Sequence, residues 1–190
     1  MIMEHVIKGK CVVCPDSFTV YQIIPEKRWT MDRIDPLAMS DWIFEDHDPQ
    51  AKDHPGYFKK QGYTIVVGGT DFGCGSKSVE HPMAALQGAG VQLILAESFS
   101  RYSFRNALNL GLAAISCPGI SGFVKTGDEL EVNIVAGELK NLTAGTVMKT
   151  VPLSGFALKL IEAGGTLNYI MQNRNQIENQ SGERLQSEQI

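Results

Sequence analysis

Basic residues are scarce in this sequence, and long apolar runs are missing. Its 190 residues carry 17 Lys and Arg against 21 Asp and Glu, a formal net charge of −4. Nucleic-acid binding needs a basic surface that neutralises phosphates, so that class is disfavoured, whereas a small anionic substrate needs only a local positive pocket. No apolar run approaches the roughly 20 residues of a membrane-spanning helix, and the start, MIMEHVIKGK, lacks the apolar centre of a signal peptide. We therefore expect a cytoplasmic protein that binds neither nucleic acid nor membrane.

Cysteine is also sparse, with four residues at positions 11, 14, 74 and 117. Cys11 and Cys14 form a C-x-x-C pair within KGKCVVCPD, a segment typical of a β-strand, in which residues three apart point to opposite faces. No second pair is present to complete a zinc site. We therefore expect buried structural thiols and no metal ion held by this chain.

Strand and helix patterns alternate through the middle of the chain. Pro82 is tolerated only in the first turn of a helix and so marks a helix start, and Gly111 lies where the next helix closes. This alternation predicts right-handed crossovers and a parallel sheet. The predicted strands are 5–13, 63–69, 91–98 and 112–119, and the predicted helices are 80–90 and 100–111.

The flanking segments have different patterns. The stretch 30–62 is polar and turn-rich, with a loop at DHDPQAKDHPG. Apolar and polar residues alternate over 127–151 around Gly137, as in a hairpin with one solvated face. Helical spacing over 154–171 is interrupted by Gly164 and Gly165, and the polar end 173–190 predicts a disordered tail. The sequence thus predicts one α/β domain over 1–172, with a sheet core containing parallel strands, flanking helices and a C-terminal β-hairpin.

The run DFGCGSKSVEHPMAAL, residues 71–86, directly follows the predicted strand YTIVVGG. Gly73 and Gly75 would let a ligand approach the backbone closely, and the following helix would offer free N–H groups and the positive end of its dipole. Ser76 and Ser78 add hydroxyls and Lys77 adds a full positive charge. These features predict an anion site suited to a phosphate or a carboxylate.

This run has three other interpretations, of which the sequence disfavours two. A nucleotide-binding P-loop is disfavoured because Ser76 and Asp71 occupy its two required glycine positions. A serine hydrolase is disfavoured because G-x-S-x-G is absent. A glycine-rich packing turn with solvated polar residues stays open on the motif alone.

A longer comparison of segments favours a known family. GGTDFGCGSKSVEHPMAALQGAGVQLILAESFSRYSFRNALNLGL resembles the central part of the small subunit of 3-isopropylmalate dehydratase, the swivelling domain of the aconitase superfamily. QIIP at 22–25, GDELEVNIVAGELKNLTAGT and IEAGGTLNYI extend the resemblance over nearly the whole chain except the tail. The positions that match the family pattern are Phe72, Gly73, Gly75, Ser76, Glu80, His81, Ser98, Phe99, Arg101, Asn106, Gly111 and Leu112.

This resemblance implies one half of an enzyme of leucine biosynthesis. In that family a separate large subunit carries a four-iron–four-sulfur cluster that acts as a Lewis acid on the substrate hydroxyl, so no cofactor is expected in this chain. The small subunit supplies a serine that removes a proton next to a carboxylate, and cations that hold the carboxylate. We therefore expect a hydro-lyase that dehydrates and rehydrates a 2-hydroxy di- or tricarboxylate, with Ser76 as the catalytic base.

The chain departs from the family pattern at three places. The segment from Ser76 to His81 has one residue more than the family motif, and Val79 falls where the family has arginine. Val20 and Tyr21 replace a Thr-Asp pair, although the preceding Asp16 is kept. The loop 29–36, in the region where the family selects the substrate side chain, is about two residues longer. A related dehydratase with another hydroxy-diacid substrate, or a non-catalytic interaction module with the same fold, are the alternatives.

The candidate site residues follow from the anion site and the resemblance together. Lys77 is expected to replace the missing arginine as the carboxylate ligand. The alternative is a solvated Lys77, with Arg28, Arg33 or Arg101 holding the carboxylate. Glu80 is expected to fix the loop through backbone N–H groups, and His81 either orients the helix start or meets substrate. The predicted substrate-binding residues are Gly75, Lys77, Ser78, Arg33 and Arg101, and the supporting residues are Glu80 and His81.

Overall fold

A seven-stranded mixed sheet organises the chain in a computed structural model that describes residues 5–30, 32–75, 78–153 and 155–174. The strand order is β4-β3-β2-β1-β5-β6-β7. Strands β1 to β4 pair in parallel, and β1, β5, β6 and β7 pair in antiparallel fashion. The strands are β1 Val6–Val13, β2 Tyr63–Gly68, β3 Leu93–Ala96, β4 Ala113–Ser116, β5 Glu129–Asn133, β6 Glu138–Asn141 and β7 Thr146–Lys149. The predicted α/β class with a parallel-containing sheet is confirmed.

Both faces of the parallel strands are covered, which explains their continuous apolar sequences. Ile65, Val66 and Val67 are all fully buried, yet Ile65 and Val67 belong to one apolar cluster and Val66 to another. Successive strand residues point to opposite faces, so a run without polar positions requires a layer on each side. The two clusters are these layers, and the sheet lies between them.

Helices connect the parallel strands and cover the sheet. Helix α5 begins at His81 with Pro82 in its first turn, as predicted, and α6 begins after the N-cap Ser100, whose hydroxyl accepts from Ser103 N. Gly164 and Gly165 separate α7 from α8, again as predicted. The helices are α1 Val20–Ile23, α2 Pro36–Ser40, α3 Pro49–Asp53, α4 Tyr57–Lys60, α5 His81–Gly88, α6 Arg101–Asn109, α7 Gly155–Ala163 and α8 Thr166–Gln172, with 3-10 turns at Glu26–Arg28 and Ile120–Gly122.

Two predictions about local structure were incomplete or wrong. The segment predicted as a loop at 46–56 contains helix α3, because the Asp48 carboxylate accepts from Gln50 N and Pro49 is preset for the first helical position. The hairpin around Gly137 is present as β5 and β6, but a third strand, β7, continues it. The turn into β7 is closed by Asn141, whose amide oxygen accepts from Thr143 N and Ala144 N.

The C-x-x-C pair lies at the end of β1 and has the predicted structural role. Cys11 packs in the same cluster as Ile65, whereas Cys14 packs in the cluster of Val66 on the other face. Both are buried free thiols. Burial raises the pKa of Cys11 to about 12 and raises that of Cys14 as well.

The predicted C-terminal tail overlaps the described residues only at its start. The tail predicted for 173–190 lies outside the described residues except for Asn173 and Arg174, which follow α8. The boundary at residue 172 therefore remains a prediction. Within the described part of the chain, no helix has the length and apolarity needed to cross a bilayer.

Candidate functional site

The loops that follow β1, β2 and β3 meet at the carboxyl edge of the parallel strands, where α/β proteins commonly bind ligands. Asp16 Oδ1 accepts from Thr70 N at 2.6 Å, and Ser98 Oγ accepts from Asp71 N at 2.9 Å. The hydrogen bond from Thr70 N holds the pKa of the Asp16 carboxyl below its usual range. Side chains from the first and third loops thus fix the backbone of the second loop, which leads into residues 76–80, called the serine segment below.

The turn at Phe72 and Gly73 anchors the second loop on helix α6. Phe72 is fully buried. The Gly73 carbonyl accepts from Ser100 Oγ at 2.7 Å and from Ser103 Oγ at 2.6 Å, and Gly73 N donates to Phe18 O at 2.7 Å. Gly73 has φ +75°, and a Cβ there would lie 2.5 Å from Ser103 Cβ and closer still to its hydroxyl. Both conformation and space therefore require glycine at this position.

The backbone becomes exposed at Gly75, immediately before the serine segment. Val20 N donates to Cys74 O at 2.8 Å, which fixes the preceding residue. Gly75 has φ +142°, and a Cβ there would lie 2.9 Å from Val20 Cγ2 and 3.4 Å from the Tyr21 ring. The residues that replace the family's Thr-Asp pair thus line the approach to the predicted anion site.

Ser76 and Lys77 lie outside the described residues, so their predicted roles remain predictions. Ser78 is exposed, and α5 begins three residues after it. Ser78 therefore lies before the first helical turn, as the predicted helix 80–90 implies. Val79 packs its side chain against the core, and its carbonyl accepts from Asn106 Nδ2 at 2.8 Å. The position at which the family has arginine thus makes an apolar contact with the core in this chain.

The two supporting residues differ in what they contact. Glu80 is the N-cap of α5, but its carboxylate makes no capping hydrogen bond, so the expected fixing of the loop through this side chain is not found among the described residues. His81 stacks on Trp29, with ring centroids 5.2 Å apart and planes 18° apart, and its Nε2 lies 3.1 Å from Thr30 O. Trp29 in turn stacks on Tyr21 at 6.0 Å.

The candidate cations also separate into distinct environments. Arg28 donates to both carboxylate oxygens of Glu45 at 2.8 and 2.9 Å and lies 3.3 Å from the centroid of the Trp42 ring. These hydrogen bonds lower the pKa of the Glu45 carboxyl, and they commit Arg28 to a structural role. The Arg33 side chain is 83% exposed and its Nη2 lies 3.6 Å from Asp35 Oδ2. Arg101 is exposed at the start of α6.

Sequence patterns indicated some of these contacts and missed others. The S-x-x-S spacing of Ser100 and Ser103 at a helix start is a signal for an N-cap, but their shared hold on the Gly73 carbonyl is a tertiary contact. The stack of Tyr21, Trp29 and His81 has no signal in local spacing, because its members are 8 and 52 residues apart.

The described residues do not fit an iron–sulfur cluster. In this part of the chain no group of three or more His, Cys, Asp or Glu side chains is arranged to hold a metal. The cysteines are free, three of them are buried, and burial raises the pKa of Cys117 to about 11. A thiolate ligand set for a cluster is therefore not offered here.

Comparisons with known proteins identify the family of this chain. The model of the aconitase C-terminal domain matches residues 41–119. The isopropylmalate/citramalate isomerase small subunit of Methanocaldococcus jannaschii is 41% identical over 168 residues, covering 88% of this chain and 95% of the relative. The chain belongs to the 3-isopropylmalate dehydratase small-subunit family. It is thus a small subunit of an aconitase-family hydro-lyase.

Further members of the small-subunit family support the assignment. The 3-isopropylmalate dehydratase small subunit of Pyrobaculum aerophilum is 39% identical over 168 residues, covering 88% of this chain and 99% of the relative. A crystal structure of 3-isopropylmalate dehydratase from Methanocaldococcus jannaschii superposes with a TM-score of 0.77 at 28% identity, over 93% of this chain and 99% of that one. The resemblance in the sequence motifs therefore extends to the fold.

Proposed function

We propose that this chain is the small subunit of a two-subunit hydro-lyase that removes water from a 2-hydroxy di- or tricarboxylate and returns it at the neighbouring carbon, so that the hydroxyl is isomerised. A malate derivative of the isopropylmalate or citramalate type is the proposed substrate, because the relatives are named for these compounds. The anchoring of Gly73 on α6 carries the proposal, since it fixes the turn at the carboxyl edge of the sheet that directly precedes the serine segment in the sequence.

Ser76 is the proposed base that removes the proton from the carbon next to a carboxylate. A serine hydroxyl becomes an effective base only where its alkoxide is stabilised by N–H groups or a cation. Lys77 and the backbone around Gly75 are proposed to provide this stabilisation. The assignment of Ser76 and Lys77 depends on the resemblance, and the fixed turn at Gly73 supports it.

The substrate carboxylates need cations, and the family's arginine is replaced by Val79. Arg28 is tied to Glu45 through two hydrogen bonds, so it is a poor candidate. We propose that Lys77 holds one carboxylate as a point charge, with Ser78 and backbone N–H groups adding directional bonds, and that Arg33 and Arg101 contribute positive charge. Lysine lacks the two-pronged geometry of arginine, so the pocket should tolerate more variation in substrate shape.

The proposed partner is a large subunit that carries a four-iron–four-sulfur cluster, the Lewis acid for the substrate hydroxyl. This chain contributes no ligand to that group among its described residues. The proposed setting is the cytoplasm, with a small hydroxy-carboxylate as ligand and neither nucleic acid nor membrane as partner.

A reconstitution assay tests this proposal. The purified chain, a cluster-bearing large subunit and the two combined are each incubated with isopropylmalate, citramalate and citrate, and the ultraviolet absorbance of the alkene is followed. We expect turnover only with the combined subunits. Turnover by the isolated, metal-free chain would contradict the proposal. A tight complex without turnover on the whole panel would favour a non-catalytic interaction module.

Substitutions in the serine segment test the individual roles. Ser76→Ala should lower kcat by on the order of a thousandfold or more without unfolding the chain. Ser78→Ala is the matched control and should have a much smaller effect; if it were the damaging change, Ser78 would be the base. Lys77→Ala should raise KM or abolish turnover, and Lys77→Arg should not restore the activity of wild type. If Lys77→Ala left kcat and KM unchanged, the carboxylate contact would be assigned to Arg33 or Arg101 instead.

A further inference from the structure

Three aromatic rings from separate parts of the chain form a stack beside the candidate site. Trp29 is the central ring, with Tyr21 at 6.0 Å and 13° on one side and His81 at 5.2 Å and 18° on the other. Trp29 is largely buried, and its Nε1 donates to Ile24 O at 3.2 Å. The ring stack, Tyr21–Trp29–His81, is therefore held firmly to the segment that follows β1.

The ring stack touches both ends of the serine segment. A Cβ at Gly75 would lie 3.4 Å from the Tyr21 ring, so the first end runs against the stack. His81, the first residue of α5, is itself the outer ring at the second end. The ring stack thus lies close to the residue before the serine segment and includes the residue that follows it.

His81 also holds a second loop, the one that carries Arg33. Its Nε2 lies 3.1 Å from Thr30 O, and a carbonyl can only accept, so the ring donates from Nε2. The hydroxyl oxygen of the same threonine accepts from Asp35 N at 2.9 Å. Thr30 therefore closes the base of the loop 30–35, and His81 binds that base to the start of α5.

The remaining nitrogen of His81 is an exception to the usual pairing of buried polar atoms. Nδ1 is buried and has no hydrogen-bond partner among the described residues. An unpaired buried acceptor is destabilising, and a phenylalanine of similar shape could keep the ring contact without that cost. The ring contact alone therefore does not explain a histidine here, whereas the hydrogen bond to Thr30 O needs a side-chain donor at this position.

We propose that His81 is a positioning residue that sets the placement of the Arg33 loop relative to the start of α5, and so controls which substrate side chains are accepted. The proposal depends on the proposed function, because it assigns Ser76 and Arg33 to one substrate. The ring contact with Trp29 aligns the imidazole, and the Nε2–H bond to Thr30 O transmits that alignment to the loop 30–35.

Two substitutions at His81 separate the ring from its hydrogen bond. His81→Phe keeps a stacking ring and loses the donor, whereas His81→Gln keeps an amide donor near the position of Nε2 and loses the ring. His54→Gln is the matched control, because His54 is an exposed residue at the end of α3. Each variant is assayed with the large subunit for kcat and KM on isopropylmalate and citramalate, whose side chains differ in size.

We expect His81→Phe to lower kcat/KM by about tenfold to a hundredfold, mainly through KM, and to change the ratio between the two substrates. His81→Gln should recover most of this loss, and His54→Gln should match wild type. A merely structural histidine would leave the substrate ratio of His81→Phe unchanged. That result, or equal damage in His81→Phe and His81→Gln, would overturn the proposal.

A second measurement does not need activity. In the isotope-labelled full chain, the amide of Asp35 should exchange with solvent about tenfold faster in His81→Phe than in wild type, because its acceptor Thr30 loses its anchor, and His81→Gln should keep the slow rate. Absence of turnover in wild type would refute the proposed function. Unchanged Asp35 exchange in His81→Phe would refute the positioning role on its own.

Discussion

Replacing Gly73 by alanine should destabilise the protein through a clash with one buried side chain. The new Cβ would lie 2.5 Å from Ser103 Cβ and closer to its hydroxyl, which is buried and donates to the Gly73 carbonyl at 2.6 Å. A left-handed backbone costs a non-glycine residue about 1–2 kcal/mol, overpacking adds about 1–3 kcal/mol, and losing the hydrogen bond adds about 1 kcal/mol. We expect Gly73→Ala to lower the free energy of unfolding by about 3–6 kcal/mol.

Gly62→Ala is the matched control for the backbone contribution. Gly62 has φ +70°, close to the +75° of Gly73, but a Cβ there meets nothing within 4 Å. It should therefore cost only about 1–2 kcal/mol. Urea denaturation of both variants, followed by circular dichroism, gives the two values, and the melting temperature should fall by about 2–4 °C for each kcal/mol lost.

The double variant Gly73→Ala/Ser103→Gly tests the cause directly. Removing the side chain of Ser103 makes room for the new methyl group, so the two changes should cost less together than the sum of their separate costs, by about 1–2 kcal/mol. Additive costs, or equal destabilisation in Gly73→Ala and Gly62→Ala, would refute the clash and leave backbone strain as the explanation.

Three further changes test other contacts. Arg28→Lys should lower the free energy of unfolding by about 1–3 kcal/mol, measured in urea, because lysine cannot make both hydrogen bonds to the buried Glu45; an unchanged midpoint would contradict this. Backbone N–H groups of Ser121 and Gly119 hold the pKa of the Glu97 carboxyl below its ordinary value near 4.5. The ionised Glu97 carboxylate therefore stabilises the fold fully above pH 4.5, and this stabilisation is lost as the pH falls through the lowered pKa. Glu97→Gln should therefore be less stable than wild type at pH 7 by about 1–3 kcal/mol, and the difference should vanish in acid; a constant difference across thermal melts from pH 7 to 2 would refute the linkage. Iodoacetamide at pH 8 should modify Cys74 first, because it is only half-buried whereas the other three thiols are buried; mass spectrometry showing early modification of another cysteine would contradict this.

Local sequence was sufficient for the elements whose pattern and environment agree. The unbroken apolar run at Ile65, Val66 and Val67 predicted a strand, and the structure shows this strand covered on both faces. Pro82 predicted the start of α5, and Gly164 and Gly165 predicted the break between α7 and α8. In each case the signal depends on properties of the residue itself, namely its hydrophobicity or its permitted backbone angles.

Local patterns were insufficient where polar residues fold because of a cap or a distant neighbour. Helix α3 lies in a segment whose composition indicates a loop, because the cap from Asp48 outweighs the weak helix propensity of its neighbours. Glu80 has the sequence position of a helix cap, yet it makes no capping bond. Short polar segments leave several conformations close in energy, and tertiary packing selects one of them.

The sequence by itself determined the family, the α/β class and the position of the candidate site after β2, since these follow from motifs and periodicities contained in short segments. Only the tertiary structure decided which candidates share an environment. It paired Arg28 with Glu45, packed the partly buried Val79 against the core and brought Tyr21, Trp29 and His81 into one stack. Contacts of this kind join residues 8 to 52 positions apart, and their geometry is defined only when the sheet and its covering helices have packed together.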